Sequence, residues 1–130
     1  MLPARHRLRD SADFRAAVSG PRAGGRLVVV HARLREPAEP VSAGSPDHGA
    51  PRVGFVVSKR VGNAVVRNRT KRVLRHLMAD RLTGIPRGCD VVVRAQPAAA
   101  TATTADLAGE LDRLLTRVTA RLRPTAGLSR

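Results

Sequence analysis

From Val66 to Leu82 the large apolar residues stand at Val66, Val73, Leu74, Leu77, Met78 and Leu82. At about 100° per residue these positions fall along one side of an α-helix. Such a helix has a single stripe to bury, which commits the chain to packed layers of secondary structure. The spacing predicts this helix over about 63–82, ended by Gly84 and Pro86. On either side lie strand-like segments. Val53 to Ser58 alternates, with Val53, Phe55 and Val57 on one face and Gly54, Val56 and Ser58 on the other. Asp90 to Arg94 is a continuous apolar run flanked by charge, as expected of a strand buried on both faces.

The remaining elements follow from the same periodicities. Ser11 precedes a short amphipathic stretch carrying Phe14, Ala17 and Val18, predicting a helix over about 10–18 that Gly20-Pro21 breaks. Arg26 to Leu34, with Val28, Val29 and Val30, reads as a strand. Thr103 and Asp106 have helix-opening spacing, and Leu107, Leu111, Leu114, Leu115, Val118 and Leu122 form a second long stripe that stops near Pro124. Residues 35–52 collect proline and glycine without apolar periodicity and are expected to be a flexible loop; 124–130 are expected to be a disordered tail. The predicted order is α, β, β, α, β, α, with room for one more early strand in the loop region. The fold class is α/β, a two-layer α+β sandwich with helices on a small central sheet, in one domain spanning 1–130.

The chain has 24 Lys plus Arg against 10 Asp plus Glu, a formal net charge of +14. An excess of this size answers a polyanion, with nucleic acid the leading candidate. A membrane partner is not expected, because no apolar run approaches the roughly 20 residues needed to span a bilayer. Met1 to Arg9 is basic but leads into no apolar segment of the signal-peptide kind, so a cytoplasmic location is expected. Cys89, the single cysteine, stands before a strand-like run and reads as a buried thiol.

The charge is concentrated. Between Lys59 and His76 stand Lys59, Arg60, Arg67, Arg69, Lys71, Arg72 and Arg75, and no acidic residue. On the helix, Arg67, Lys71, Arg75, Asn68 and Arg72 are expected on the sides away from Leu74, Leu77 and Met78. Like charges at i,i+4 repel by a few tenths of a kcal/mol per pair, a cost that implies a use. Near the helix start, the guanidinium forks of Arg67 and Arg69 are suited to phosphate, and the N-terminal amides add donors.

These residues carry a resemblance. The run from Val53 through Ser58-Lys59-Arg60, Gly62-Asn63-Ala64 and Arg67-Asn68-Arg69 to Arg75 resembles the signature of the bacterial ribonuclease P protein family. Arg7 to Phe14 and Asp90 to Pro97 resemble that family's first helix and later strand. The resemblance implies a fold like the second domain of ribosomal protein S5, with a left-handed βαβ crossover. It implies the protein subunit of an endoribonuclease that removes the 5′ leader from precursor tRNA. Hydrolysis would belong to the RNA subunit with Mg²⁺ bound mainly by RNA, and no organic cofactor is implied. The implied partners are the catalytic RNA and precursor tRNA, with no obligate protein partner. Carried over by position, Lys59, Arg60, Asn63, Arg67, Asn68, Arg69, Lys71, Arg72 and Arg75 become RNA contacts. Phe14, Arg15, Val18, His31 and Phe55 become residues of a cleft for the single-stranded leader. Val18, and His31 or Val30, stand where the family often has aromatics, so leader binding is expected to lean on arginine more than on stacking.

Protein-borne catalysis is not expected. His6, His31, His48 and His76 are scattered, no His-Glu-x-x-His or Cys-x-x-Cys spacing occurs, and no protein metal site is expected from the dispersed carboxylates. Two other classes fit the charge: a structural RNA-binding protein of ribosomal type, and a DNA binder using the basic helix. The second lacks the helix-turn-helix context, since a strand and a Gly-Asn turn lead directly into the helix.

Overall fold

Each long element begins where a side chain can satisfy free helix amides. The computed structural model describes residues 2–35 and 49–122. Helix α1 is Ser11–Ser19, and the Asp10 carboxylate before it accepts the Ala12 N–H at 2.8 Å. Helix α2 is Ala64–Ala79, capped by Asn63, whose Oδ1 accepts the Val66 N–H at 3.0 Å. Helix α3 is Thr104–Ala120, capped by the Thr103 hydroxyl, which accepts the Asp106 N–H at 3.0 Å. Such caps contribute about 1 kcal/mol each.

Strands β1 (Arg22–Gly24), β2 (Val28–Leu34), β3 (Arg52–Val56) and β4 (Cys89–Ala95) form a four-stranded sheet in the order β1-β2-β4-β3. β2 runs antiparallel to β1 and β4, whereas β3 and β4 are parallel and joined through α2. The early strand is β1, directly after the Gly20-Pro21 break rather than in the later loop, so the observed order is α, β, β, β, α, β, α. β3 ends at Val56, two residues short of the expectation, and α2 ends at Ala79, after which Leu82–Gly84 forms a 3-10 turn. Arg52, expected at the end of the loop, opens β3. Residues 36–48 of that expected loop and the tail 124–130 lie outside the described residues.

The register sorts the sheet into two faces. One carries Ala23, Val28, Val30, Ala32, Val53, Phe55, Val91 and Val93, packed in the main core with Leu74, Met78, Leu107, Leu111, Leu114 and Val118 of α2 and α3. The opposite face pairs His31 with Val92 and Gly54 with Val92, and α1 covers it through Phe14, Ala17 and Val18, with Leu8 and Val56. Val91, Val92 and Val93 are therefore fully buried, which accounts for the unbroken apolar run of β4. At the outer edge of β3 the N-terminal segment closes the ladder: the Leu8 N–H donates to the Val53 carbonyl at 2.9 Å, and Arg7 bridges to Val53.

Two buried carboxylates hold this arrangement. Glu110, on α3, accepts the Leu27 and Val28 N–H groups at 2.7 and 2.8 Å, fastening the β1–β2 turn to the helix. Gly25 leaves room for it, because a Cβ there would stand 2.5 Å from the carboxyl carbon. Asp90, on β4 and fully buried, accepts from Arg35 at 2.6 Å, from Arg52 at 2.8 and 2.9 Å and from Arg33 at 3.3 Å. Asp13 of α1 closes the network from above, 3.2 Å from Arg33 and 3.3 Å from Arg52.

Candidate nucleic-acid interface

The turn after β3 and the helix that follows present the basic segment. Lys59 and Arg60 are exposed in that turn, whose backbone is closed by the Val61 N–H on the Ser58 carbonyl and the Gly62 N–H on the Lys59 carbonyl. Asn63 is the cap of α2, so its side-chain oxygen already serves a helix amide. Beyond it, Thr70, Leu74, Leu77 and Met78 face the core. Asn68, Arg69, Arg72 and Arg75 are exposed with no carboxylate on the helix to neutralise them. Arg69 also reaches the Ala100 carbonyl at 3.4 Å, which fixes its direction across the 3-10 turn Pro97–Thr101. Val65 lies on the same exposed side and is 73% exposed, an apolar contact point inside a cationic surface.

Two members of the expected set lie elsewhere on the helix. Arg67 and Lys71 are half-buried on the flank of the packed side, and the Arg67 Nε is buried without a partner among the described residues. About one helical turn separates Arg67 from Lys71, nearly two separate it from Leu74 and about three from Met78, so all four cluster on neighbouring angular positions. The expectation places Arg67 and Lys71 with Arg75 on the sides away from the stripe, whereas at about 100° per residue they fall beside Leu74 and Met78.

The second constellation sits between α1 and the sheet. The tip of the Phe14 ring comes so close to β3 that a Cβ at Gly54 would stand 2.2 Å from its ζ carbon, so the approach requires glycine. Phe14, Val18 and Val56 are half-buried around Leu8, Ala17 and Val92, and Arg15 is exposed on the outer side of α1. On the same sheet face, Val29 and Val56 flank Arg94, which is exposed. This leaves a partly open apolar strip edged by arginine.

His31 and Phe55 depart from the expected cleft. His31 faces α1 but is only 2% exposed, and neither ring nitrogen has a hydrogen-bond partner among the described residues. Burial lowers its pKa from 6.5, the positive charges of Arg94 and then Arg22 lower it further, and the Val18 backbone opposes in part. It is a neutral packing residue at neutral pH. Phe55 pairs with Val93 and packs into the main core, on the face of the sheet opposite Phe14. The two rings cannot line one cleft.

Three structural carboxylates, Asp13, Asp90 and Glu110, carry no local sequence signal that separates them from ordinary charged positions, because their partners are distant in sequence. Cys89 is buried as expected, with its thiol pushed up to about 12, chiefly by burial. No group of three His, Cys, Asp or Glu side chains able to hold a metal ion occurs among the described residues. No helix among them is long and apolar enough to cross a membrane.

Comparison with known proteins places this geometry. A family model described as Ribonuclease P matches residues 2–119. The ribonuclease P protein component of Acidothermus cellulolyticus is 50% identical over 120 residues, covering 92% of each chain. That of Kocuria rhizophila is 54% identical over 109 residues, covering 83% of this chain and 87% of the relative. Among solved structures, the RNase P protein of Staphylococcus aureus superposes with a TM-score of 0.70 at 27% identity, covering 88% of this chain and 97% of that one. The RNase P protein from Thermotoga maritima gives 0.68 at 26% identity, covering 86% and 96%. The match runs through the basic turn, α2, α1 and the whole sheet, and the chain belongs to the ribonuclease P protein family.

Proposed function

We propose that this chain is the protein subunit of ribonuclease P and acts in maturation of the tRNA 5′ end by binding RNA on two surfaces. The exposed side of α2 and the turn before it, with Lys59, Arg60, Asn68, Arg69, Arg72 and Arg75, take the catalytic RNA. The strip beneath α1, with Phe14, Val18, Val56 and Arg94 and with Arg15 at its rim, takes the single-stranded leader of precursor tRNA. The observation that carries this reading is the acid-free basic surface of α2, set on a fold shared with ribonuclease P proteins.

The protein's share of the work is electrostatic and positional. Each Lys or Arg set against a phosphate releases condensed counterions, so affinity falls steeply with salt. Guanidinium groups add bidentate hydrogen bonds that fix the orientation of the backbone. Hydrolysis is assigned to the RNA subunit with Mg²⁺ held by RNA. The described residues do not fit a protein-held ion, since the most buried carboxylate, Asp90, is already surrounded by three guanidinium groups. The leader is held by apolar contact with one ring and by arginine rather than by an aromatic stack. A cytoplasmic site of action accords with this role.

The binding half is tested by titrating a ribonuclease P RNA with the chain at several salt concentrations. Tight, steeply salt-dependent binding that Arg69→Ala and Arg72→Ala each weaken supports the reading. Equal affinity for duplex DNA, with no effect of either substitution, would favour a general polyanion binder.

A further inference from the structure

A second basic surface lies at the other edge of the sheet. Arg113 and Arg117 in the C-terminal half of α3, and Arg121 at its C-cap, recur every four residues, and all three are exposed. With about 1.5 Å of rise per residue they form a ridge roughly 12 Å long. The flank they occupy faces β1, because the Arg121 guanidinium donates to the Arg22 carbonyl at 2.7 Å. The neighbouring carboxylates are largely committed. Glu110 holds two backbone amides and lies 3.6 Å from Arg113, and Asp112 pairs with Arg81 on the α2 side of the helix. Asp106 stands only at the helix start. Arg117 makes no ion pair or hydrogen bond among the described residues, so its charge faces solvent.

This ridge is not an extension of the α2 surface. The order β1-β2-β4-β3 puts β1 at the edge remote from β3, which leads into α2. It does join the strip beneath α1. Arg22 pairs in register with His31 and so shares the face that α1 covers, while Arg94 stands on that face opposite Val29. Arg94, Arg22, Arg121, Arg117 and Arg113 thus lead from the mouth of the strip to the β1 edge and along α3.

Building on the function proposed above, we propose that Arg22, Arg113, Arg117 and Arg121 bind the phosphodiester backbone of the 5′-distal part of the precursor leader, the stretch that extends past the strip beneath α1. Single-stranded nucleic acid suits such a track: spaced cations follow the backbone without reading bases. The source is the precursor rather than the catalytic RNA because the track reaches the leader strip round the β1 edge through Arg22, and that edge is the one remote from β3, which leads into α2.

The test uses the complex reconstituted with ribonuclease P RNA and a series of precursor tRNAs with progressively longer leaders. Arg113→Gln/Arg117→Gln is compared with the unaltered chain, and Arg117→Gln alone guards against a folding defect. Short-leader precursors should bind equally to all three complexes. Longer leaders should gain affinity severalfold with the unaltered chain, and the double variant should lose that gain. Its salt slope on the longest leader should be shallower by about 1.4, at about 0.7 per removed phosphate contact on a single strand. An unchanged dependence on leader length overturns the proposal, as does an equal loss at every length, which would assign the ridge to the catalytic RNA. If the chain adds no affinity for any precursor, the function proposed above fails as well, and the two failures are thereby distinguished.

Discussion

Replacing Asp90 with Asn keeps the shape of the side chain and removes the one fully buried charge that Arg33, Arg35 and Arg52 share. Breaking a buried ion pair on one side costs about 3–5 kcal/mol when the abandoned charge stays buried. Here the arginines retain 14–27% of their side-chain exposure, so water screens part of the loss and about 2–3 kcal/mol is expected. That is a large fraction of the 5–15 kcal/mol typical of a domain. With a urea m-value near 2 kcal/mol/M, the unfolding midpoint should fall by about 1–1.5 M at unchanged m. The network also ties α1 to β2, β3 and β4 through Asp13, so leader affinity should weaken while binding of the catalytic RNA through α2 persists. A shift equivalent to less than about 0.5 kcal/mol, the range of an ordinary surface substitution, would refute the account of Asp90 as the centre of the network.

Three further outcomes follow from the geometry. His31 has its pKa below 6.5 in the folded chain, so the unfolded state binds more protons as the solution is acidified. Its contribution is intact above pH 6.5 and is lost as pH falls through the folded value. Urea titrations between pH 7.5 and 5 should show a stability slope that shrinks in His31→Phe; identical slopes would contradict a neutral buried imidazole. Gly54→Ala should cost about 1–3 kcal/mol through the clash with Phe14, and Phe14→Leu should recover part of that loss, whereas strictly additive effects would mean that the ring does not rest on Gly54. Arg72→Ala should reduce the salt slope of RNA binding by about 0.7–0.9, and an unaltered slope would take Arg72 out of the interface.

The helices were legible because periodicity and caps are local. The stripes of α2 and α3, and the caps Asn63 and Thr103, are written within a few turns of sequence. Strand β1 was not, since Arg22-Ala23-Gly24 has little intrinsic strand preference and becomes a strand only by pairing with Val29–His31. Asp90 read as a charge at the edge of an apolar run. Its burial depends on arginines from β2, β3 and the residue after β2, which only the sheet register brings together. Glu110 likewise serves amides more than 80 positions earlier. In the interface, the concentration of charge was plain from sequence, but the division of it was not. Arg67 and Lys71 turn toward the packed flank while Arg69, Arg72 and Arg75 stay exposed, because α2 buries a wider arc than its leucines mark. The family resemblance puts Phe55 in the leader cleft by position, whereas the alternation of β3 sends it through the sheet to the other side.

The most direct measurement is cleavage of a precursor tRNA by a bacterial ribonuclease P RNA at low Mg²⁺, with and without this chain. Little cleavage is expected of the RNA alone, and release of the intact leader with a mature tRNA 5′ end once the folded chain is added. No stimulation by a chain that demonstrably binds a cognate RNA would contradict the proposed function and leave a structural RNA-binding role.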